Sequence, residues 1–345
     1  MRLSNENLIR EHIHALVEEG VLPGAVYGVA SHDAVVALGA IGFRQMQPSI
    51  LPMTEDTLFD LASLTKVVAT TAIAMRLLER GAFRYDDLVS RYVQEDFGPV
   101  RLNHLLTHTS GFPAWLDLTA YPERAQRIGA IAKASRLYAP GTEVLYSDLN
   151  YILLGYILEL VANQPLDQLF TEEVAAPLQM HHTSYLPITN GPIASTEWDV
   201  KAGQFLTGVV HDENARSAGG VSGHAGLFGT ASDLLTFGQA LLRDKSSWLS
   251  EATVAAWQQA RTSGLPGELR GWGFQKPHPL SSAGDLASPR AMGHTGFTGT
   301  SLWIDPTYDI VMVLLTNRVH LGRDKNAPIR LRPIFHNLVL AGLRP

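Results

Sequence analysis

The sequence contains no cysteine among its 345 residues. This absence excludes disulfide bonds, thiol nucleophiles and metal sites built on cysteine ligands. It does not indicate a cellular compartment, because cysteine-free proteins occur on both sides of a membrane.

An excess of positive charge is also missing. The chain has 27 Lys and Arg against 33 Asp and Glu, a net charge of −6, and both signs are mixed along its length. Without a basic stripe, nucleic acid is not an expected partner. Hydrophobic residues make up 46% of the chain, which is typical of a globular protein. A length of 345 residues is enough for a large core and two lobes.

Long apolar runs are absent as well. No run is long enough to cross a bilayer, so we expect no membrane span. The first 20 residues mix charged and apolar side chains, as in an amphipathic helix, whereas a signal peptide needs an uninterrupted apolar segment. We therefore expect a cytoplasmic protein, unless a leader has been removed.

Apolar patterns near both ends of the chain predict two β-hairpins. Residues 25–30 and 34–41 form the first pair, and residues 300–304 and 310–315 form the second. Between them, residues 63 to about 200 are mostly helical in pattern, and glycine becomes dense from about residue 203. A further strand is predicted at residues 271–274. Four helices are predicted in the helical part, at residues 86–92, 100–109, 150–162 and 167–176, the last of these stopped by Pro177. A further helix is predicted near the end of the chain, at residues 331–340.

These patterns predict an α+β fold with one antiparallel sheet that is built from both ends of the chain and flanked by helices. Residues 1–62 and 203–345 would form an α/β lobe, and residues 63–202 an inserted, mainly helical lobe. A cleft between two lobes is where ligands tend to bind, so we expect the active site there.

The spacing of Ser63 and Lys66 is the first indication of chemistry. The two residues stand three apart at the start of an apolar run, residues 67–78, that ends before Gly81. On a helix this spacing puts the hydroxyl and the amine on one face. A serine in the first helical turn would also lie near unpaired N–H groups that favour an oxyanion. A bare Ser-x-x-Lys motif arises by chance, so alone it leaves catalysis and a structural role equally open.

Two further stretches can complete such a site. Tyr146 precedes an amphipathic helix, where its phenol could move protons if a cation lowers its pKa from about 10. Residues 293–300, a glycine-flanked segment, lead into the last hairpin and could bring N–H groups against a substrate carbonyl. The alternatives are a half-buried tyrosine with a satisfied hydroxyl and a simple tight bend.

In this order, Ser63-x-x-Lys66, Tyr146-x-Asp148 and His294-Thr295-Gly296 resemble the serine β-lactamase and penicillin-binding-protein family. The resemblance is greatest to its class C-like branch, with esterases, D-aminopeptidases and D-Ala-D-Ala carboxypeptidases. It covers nearly the whole chain and includes residues 57–66, 105–111 and 223–228. It implies a β-lactamase/transpeptidase-like fold, and no metal or organic cofactor.

The resemblance also implies roles for individual residues. Ser63 would be the nucleophile that forms an acyl-enzyme, Lys66 a charged group that moves the proton, and Tyr146 first the base and then the acid. The backbone N–H groups of Ser63 and Phe297 would form the oxyanion hole. His294 would also be a catalytic residue. Three further residues of the middle and last motifs would bind the substrate: Asp148, Thr295 and Gly296.

Two of these positions depart from the commonest family pattern. Asp148 stands where Asn is frequent, and an ionised Asp cannot donate a hydrogen bond to substrate. Near Lys66 it would favour the charged ammonium and leave the proton transfer to Tyr146. His294 stands where many members have Lys, and a histidine with a pKa near 6.5 is mostly neutral. This strengthens the resemblance to esterases and argues against strong β-lactamase activity.

Other candidate sites are weaker. His104 and His108 have the i,i+4 spacing of a zinc site but lack its glutamate, so structural roles are favoured. Residues 181–182 and 211–213 could bind a cation, although solvated side chains are the simpler interpretation. The sequence has no Gly-x-Ser-x-Gly motif, P-loop or Gly-x-Gly-x-x-Gly motif.

The sequence therefore predicts a serine hydrolase that cleaves small esters or amides through an acyl-Ser63 intermediate, with a short-chain ester as the favoured substrate. A D-amino-acid peptidase or carboxypeptidase and a weak β-lactamase are alternatives. A penicillin-binding sensor or scaffold that hardly turns over is a third possibility, and the intact Ser63, Lys66 and Tyr146 argue against it. The sequence does not indicate an oligomeric state.

Overall fold

The computed structural model describes residues 1–186, 191–242, 248–279, 281–324 and 327–344. The strands, numbered along the chain, are β1 Arg2–Leu3, β2 Gly24–Ala30, β3 Val35–Gln45, β4 Leu51–Pro52, β5 Phe59–Asp60, β6 Ser184–Tyr185, β7 Trp198–Asp199, β8 Gln204–Phe205, β9 Leu227–Gly229, β10 Met292–Thr295, β11 Ser301–Asp305, β12 Ile310–Thr316 and β13 Leu343–Arg344. The α-helices are α1 Glu6–Glu18, α2 Ala72–Glu79, α3 Leu102–Leu106, α4 Arg124–Lys133, α5 Asp148–Ala162, α6 Leu166–Phe170, α7 Ala176–Leu178, α8 Glu213–Ser217, α9 Ala231–Leu242, α10 Glu251–Trp257 and α11 Ala327–Gly342.

The main sheet has six antiparallel strands in the order β10-β11-β12-β2-β3-β4. Strand β12 pairs with β2, with Val311 opposite Ala30 and Thr316 opposite Ala25. Both predicted hairpins are therefore confirmed, and the two ends of the chain share one sheet. The α+β prediction is confirmed with them.

Helices cover both faces of this sheet, which explains why every residue of β2 and β12 is buried. Along β2 the side chains alternate, so that Tyr27 joins a buried cluster with α1 and α11, and Val26 joins another that contains α9. Gly28 leaves room on the second face, where a Cβ would approach Leu235 of α9 to 2.9 Å. The strands are thus hydrophobic on both sides.

The second buried cluster extends beyond the sheet into the helices of the middle of the chain. It includes Leu64, Ile73, Leu105, Leu154 and Phe170 together with the side chains of β11 and β12. The division into lobes at residues 63 and 203 stays a prediction. Among the described helices, none is both long and apolar enough to span a membrane.

Four of the predicted elements outside the Ser63 segment differ clearly from the structure. The helix predicted at 86–92 is only a 3₁₀ turn, Val89–Arg91, and the helix predicted at 100–109 is reduced to α3. The strand predicted at 271–274 is wrong, because Gly273 has a φ of +74° and packs against Thr71, which interrupts an extended conformation. Isolated bridges are formed by the residues on either side of this segment, Arg270 with Gln275 and Gln275 with Gly293.

The helix predicted at 167–176 does not end before Pro177. It passes from α6 through a π-helical turn, Thr171–Ala175, into α7, with Pro177 in the first turn of α7. The N–H of Ala176 still donates to the Thr171 carbonyl of the π-helical turn, and Pro177, which has no N–H, stands directly after it. The sequence did not predict α4, α8 or α10.

Candidate active site

Ser63 lies in a 3₁₀ turn, Ala62–Leu64, and not in the first turn of an α-helix as predicted. A π-helical turn, Lys66–Thr71, follows it, and α2 begins only at Ala72. The reason lies one residue earlier, since Ala62 has a φ of +46°, which is incompatible with a right-handed helix. Left-handed backbone at a residue with a Cβ is strained, and such strain is concentrated at functional sites.

The buried side chain of Asp60 holds this turn. One carboxylate oxygen accepts the N–H of Ala62 at 2.8 Å, and the other accepts the N–H of His211 at 2.7 Å. Ser63 is consequently fixed by contacts on its N-terminal side, where no sequence motif indicates a constraint.

Lys66 is fully buried beneath Ser63. Its Nζ donates to the Ser63 Oγ at 3.0 Å and to the carbonyl of His224 at 3.0 Å, and lies 2.7 Å from Oδ1 of Asp148. Burial acts to lower the pKa of Lys66, but the Asp148 carboxylate, helped by Tyr146, raises it above its ordinary value. Lys66 is therefore an ammonium at neutral pH, as the sequence indicated for an Asp at position 148.

The ring of Tyr146 lies beside the same ammonium. Lys66 Nζ is 5.0 Å from the ring centroid, as is the guanidinium carbon of Arg270. The imidazole of His108 is 4.6 Å away and that of His294 is 5.8 Å away, centroid to centroid. Burial raises the pKa of Tyr146, and Lys66, which acts in the opposite direction, does not cancel this effect. Tyr146 thus rests as a neutral phenol, although a cation is present.

His294 lies on β10 and is buried. Its Nδ1 is 2.8 Å from the carbonyl oxygen of Thr295, so this nitrogen carries the proton and Nε2 offers a lone pair. Burial lowers the pKa of His294 well below its usual value, and the charges of Arg270 and Lys66 act in the same direction. His294 is therefore neutral, as the sequence predicted.

The loop after β10 is tied to the chain that precedes Ser63. Thr298 Oγ1 donates to the Asp60 carbonyl at 2.7 Å, and Thr300 Oγ1 to the Leu61 carbonyl at 3.0 Å. At Gly296 a Cβ would lie 2.5 Å from that same Leu61 oxygen, so only glycine permits this approach. The contacts bring the backbone of Phe297 to the side of Ser63.

The amides of Ser63 and Phe297 are the two predicted oxyanion donors. In the part of the chain that the structure describes, neither amide donates a hydrogen bond to a protein acceptor. Both residues line one cleft of about 620 Å³. Unpaired donors beside a nucleophile are what stabilisation of an oxyanion requires.

Seven of the eight predicted site residues line this cleft: Ser63, Tyr146, Asp148, His294, Thr295, Gly296 and Phe297. The exception is Lys66, which is buried beneath the floor of the cleft. The structure thus brings the three motifs together. The roles assigned to these residues stay predictions. Several cleft residues carry no sequence motif and were not predicted, among them Trp115, Glu268, Arg270, Arg318, Arg323 and Arg332.

His224 was given no individual role from the sequence, and Asp212 was considered only within residues 211–213, where a cation site was the less favoured interpretation. The His224 carbonyl accepts from Lys66, while its Nε2 lies 2.8 Å from Asp212 Oδ1. Asp148, Asp212 and His224 each offer one potential ligand atom within 4.8 Å of one another. The Lys66 ammonium already supplies a positive charge to this group through Asp148. That no metal or cofactor takes part stays a prediction.

Three of the histidines considered from the sequence have structural contacts. His104 Nδ1 accepts the N–H of Arg101 at 3.1 Å. His108 lies beyond the end of α3 with a φ of +56°, so it does not share a helical face with His104. Its Nδ1 accepts the N–H of Ser147 at 3.1 Å. His211 contacts Glu197 at 2.7 Å. These contacts agree with the structural roles that were favoured for His104 and His108, and give His211 a protein partner in place of solvent.

The family model described as Beta-lactamase matches residues 9–333, nearly the whole chain. The chain belongs to the Beta-lactamase family. Among curated relatives, an Escherichia coli K12 protein named "Putative D-alanyl-D-alanine carboxypeptidase" is 34% identical over 312 residues, which cover 77% of this chain and 70% of that protein.

Solved structures of the same fold include two similar proteins. EstCE1, a hydrolase with promiscuous acyltransferase activity, has a TM-score of 0.78 and 26% identity, covering 96% of this chain and 98% of its own. An octameric penicillin-binding protein homologue from Pyrococcus abyssi has a TM-score of 0.78 and 21% identity, covering 97% and 77%. The fold is therefore β-lactamase/transpeptidase-like, and the chain is a serine hydrolase of this family.

Proposed function

We propose that this serine hydrolase cleaves small carboxylic esters through an acyl-Ser63 intermediate. The observation that carries the proposal is the contact of Ser63 Oγ with the buried Lys66 ammonium at 3.0 Å, on the floor of a cleft that also contains Tyr146. A hydroxyl, a fixed cation and a phenol supply the nucleophile, the charge and the proton carrier of acyl transfer.

In the first half of the reaction, Ser63 Oγ attacks the ester carbonyl and its proton passes to ionised Tyr146. Lys66 stabilises the phenolate, and the N–H groups of Ser63 and Phe297 donate hydrogen bonds to the carbonyl oxygen as it becomes negatively charged. The C–O bond to the alcohol then breaks, and Tyr146 returns the proton to the leaving alcohol. In the second half, water attacks the acyl-serine by the same route, releasing the acid and restoring Ser63 and Tyr146.

The state of His294 supports an ester over a substrate that needs a cationic partner. The side chain is neutral and presents a lone pair at Nε2, whereas a lysine at this position would present an ammonium. A neutral ester needs no such charge. The resemblance in fold to EstCE1, which is named as a hydrolase, is consistent with this choice.

A D-amino-acid carboxypeptidase is the second candidate, since arginines also line the cleft. Arg270, Arg318 and Arg332 place guanidinium groups around it, and a guanidinium suits the terminal carboxylate of a peptide. The names of the curated relatives point in the same direction. Weak β-lactam turnover and a non-catalytic penicillin sensor are further outcomes of the turnover test described below. The cytoplasmic location stays a prediction.

The test is a turnover panel of p-nitrophenyl esters, D-Ala-D-Ala peptides and nitrocefin, run on the wild type and on Ser63→Ala. We expect the acetate or butyrate ester to react fastest and the activity to disappear in Ser63→Ala. Faster release of D-Ala would replace the ester proposal with the second candidate. A β-lactam adduct on Ser63 that lasts for hours in intact mass spectra, without ester turnover, would identify a sensor.

A further inference from the structure

Arg332 is a buried cation whose only hydrogen bond in the described part of the chain goes to a peptide carbonyl. It lies on α11, with 7% of its surface exposed, and its Nη2 donates to the carbonyl oxygen of Gly296 at 2.6 Å. No carboxylate among the described residues pairs with it, and its Nε has no partner there. Burial, with the charge of Arg318 in addition, lowers the pKa of Arg332 to about 9. The side chain is therefore still charged at neutral pH.

The bonded carbonyl belongs to the peptide group that also carries the N–H of Phe297. A trans peptide is planar, so its C=O and N–H point in opposite directions. When Arg332 fixes the oxygen of Gly296, it fixes the direction of the Phe297 N–H as well. The next peptide is held in the same way, because Arg318 Nε donates to the Phe297 carbonyl at 2.9 Å.

We propose that Arg332 is a positioning residue for the oxyanion hole, which orients and polarises the Phe297 N–H through the Gly296 carbonyl. A charge-assisted bond to the oxygen withdraws electrons from the peptide and makes its N–H a stronger donor. The bonds from Thr298 and Thr300 place the loop beside Ser63, and Arg332 sets the orientation of one peptide within it. This inference rests on the proposed function.

Two other roles are possible for this side chain and give different results. If Arg332 only ties α11 to the loop, its loss would lower stability without a specific effect on the transition state. If Arg332 binds a substrate carboxylate, its loss would leave the cleavage of neutral esters unchanged. A neutral ester and a transition-state analogue therefore separate the three roles.

The experiment compares the wild type with Arg332→Met, Arg332→Gln and Arg332→Lys, and with Arg330→Met as the matched control. Arg330 lies on the same helix with an exposed side chain. For each protein, Tm, the kcat and KM for p-nitrophenyl acetate, and the inhibition constant of a boronic acid that forms a tetrahedral adduct are measured.

We expect kcat of Arg332→Met to fall about 10- to 100-fold, with KM changed less than about threefold. This is less than the loss of about 10²- to 10³-fold that removal of a whole oxyanion donor causes, because the Phe297 N–H stays in place and is only weakened. Boronic acid affinity should fall in parallel with kcat/KM, Arg332→Lys should recover part of the loss, and Arg330→Met should match the wild type. If Arg332→Met does not fold, Arg332→Gln decides, since it lacks the charge.

A folded neutral variant with wild-type kcat and wild-type affinity for the boronic acid would overturn the inference while leaving the proposed function intact. A wild type that turns over no ester and is not labelled by a fluorophosphonate would overturn both proposals together.

Discussion

At the scale of single residues, the protonation states of three buried groups define the resting site. Lys66 carries a proton because of Asp148, Tyr146 keeps its proton because it is buried, and His294 lacks a charge because it is buried between cations. The base required for attack is therefore absent from most molecules at neutral pH.

The first prediction concerns the pH dependence of the wild type. Because the pKa of Tyr146 lies above its ordinary value, the ionised fraction grows as pH rises, and kcat/KM for a neutral ester should still increase well above pH 8. Stopped-flow or initial-rate measurements between pH 6 and about 10 test this. A profile that levels off near pH 7 would contradict the assignment of Tyr146 as the base.

The second prediction is that Tyr146→Phe lowers kcat about 10²- to 10⁴-fold, the usual contribution of a general acid or base. Phenylalanine keeps the ring that contacts His108 and Lys66, so Tm should change little. Comparing turnover with thermal melting checks both parts. Retained turnover would show that Lys66 alone carries the proton.

The third prediction concerns Asp148→Asn. Without the carboxylate, its raising effect on the pKa of Lys66 is lost and burial lowers that pKa. The pKa of Tyr146 falls as well, because the negative charge of Asp148 no longer raises it. The rise of kcat/KM should therefore move to lower pH. Because the pKa of Lys66 is raised in the folded state, its ion pair with Asp148 stabilises the fold at neutral pH. This stabilisation is lost only as the pH rises above the ordinary lysine pKa of about 10.4. The variant should therefore lose about 2 kcal/mol near pH 7.

Asp56→Asn is a matched control, because Asp56 is exposed. Its pH–rate profile and its urea unfolding curve should coincide with those of the wild type. If Asp148→Asn gives the same profile as this control, the carboxylate does not govern the proton equilibrium of the site.

At the scale of elements, the site depends on how closely the end of β10 approaches the 3₁₀ turn of Ser63. The fourth prediction is that Gly296→Ala separates them, because its Cβ would lie 2.5 Å from the Leu61 carbonyl and 2.1 Å from Thr300 Oγ1. We expect kcat to fall more than about 10-fold and stability to fall by about 1–3 kcal/mol, as for other overpacked sites.

Gly129→Ala provides the control for that substitution. Gly129 lies in α4, and a Cβ there would meet nothing within 4 Å. Alanine in a helix is favoured over glycine by about 0.5–1 kcal/mol, so this variant should be slightly more stable and fully active. Equal losses in the two variants would show that the effect is not specific to Gly296.

Much of this arrangement could be predicted from the sequence because it depends on local spacing. The i,i+3 spacing of Ser63 and Lys66 was enough to predict their contact, and short apolar runs near both ends of the chain were enough to predict both hairpins. The left-handed Ala62 could not be predicted, since it depends on a buried Asp60 that pairs with a distant His211. In the sequence, Arg332 cannot be distinguished from a surface arginine of a helix. Its burial and its contact with Gly296 depend on the packing of α11 against the loop after β10.

At the scale of the whole molecule, one buried cluster runs from the middle helices into the sheet. Our fifth prediction is a single cooperative thermal transition, because separate melting of a helical lobe would expose side chains such as Leu154 that pack in the same cluster as Val313. Near-ultraviolet circular dichroism and tryptophan fluorescence should give the same midpoint. Two separated midpoints would instead support lobes that unfold independently.

The pairing of β2 with β12 has a consequence for biosynthesis. A ribosome makes β2 and β3 early and β12 very late, so the first hairpin must wait through most of translation with one edge uncovered. Pairings between such distant segments form slowly, and uncovered edges attract other chains. Nascent or prematurely terminated chains should therefore depend on chaperones, and their yield should improve when translation is slowed by lower growth temperature.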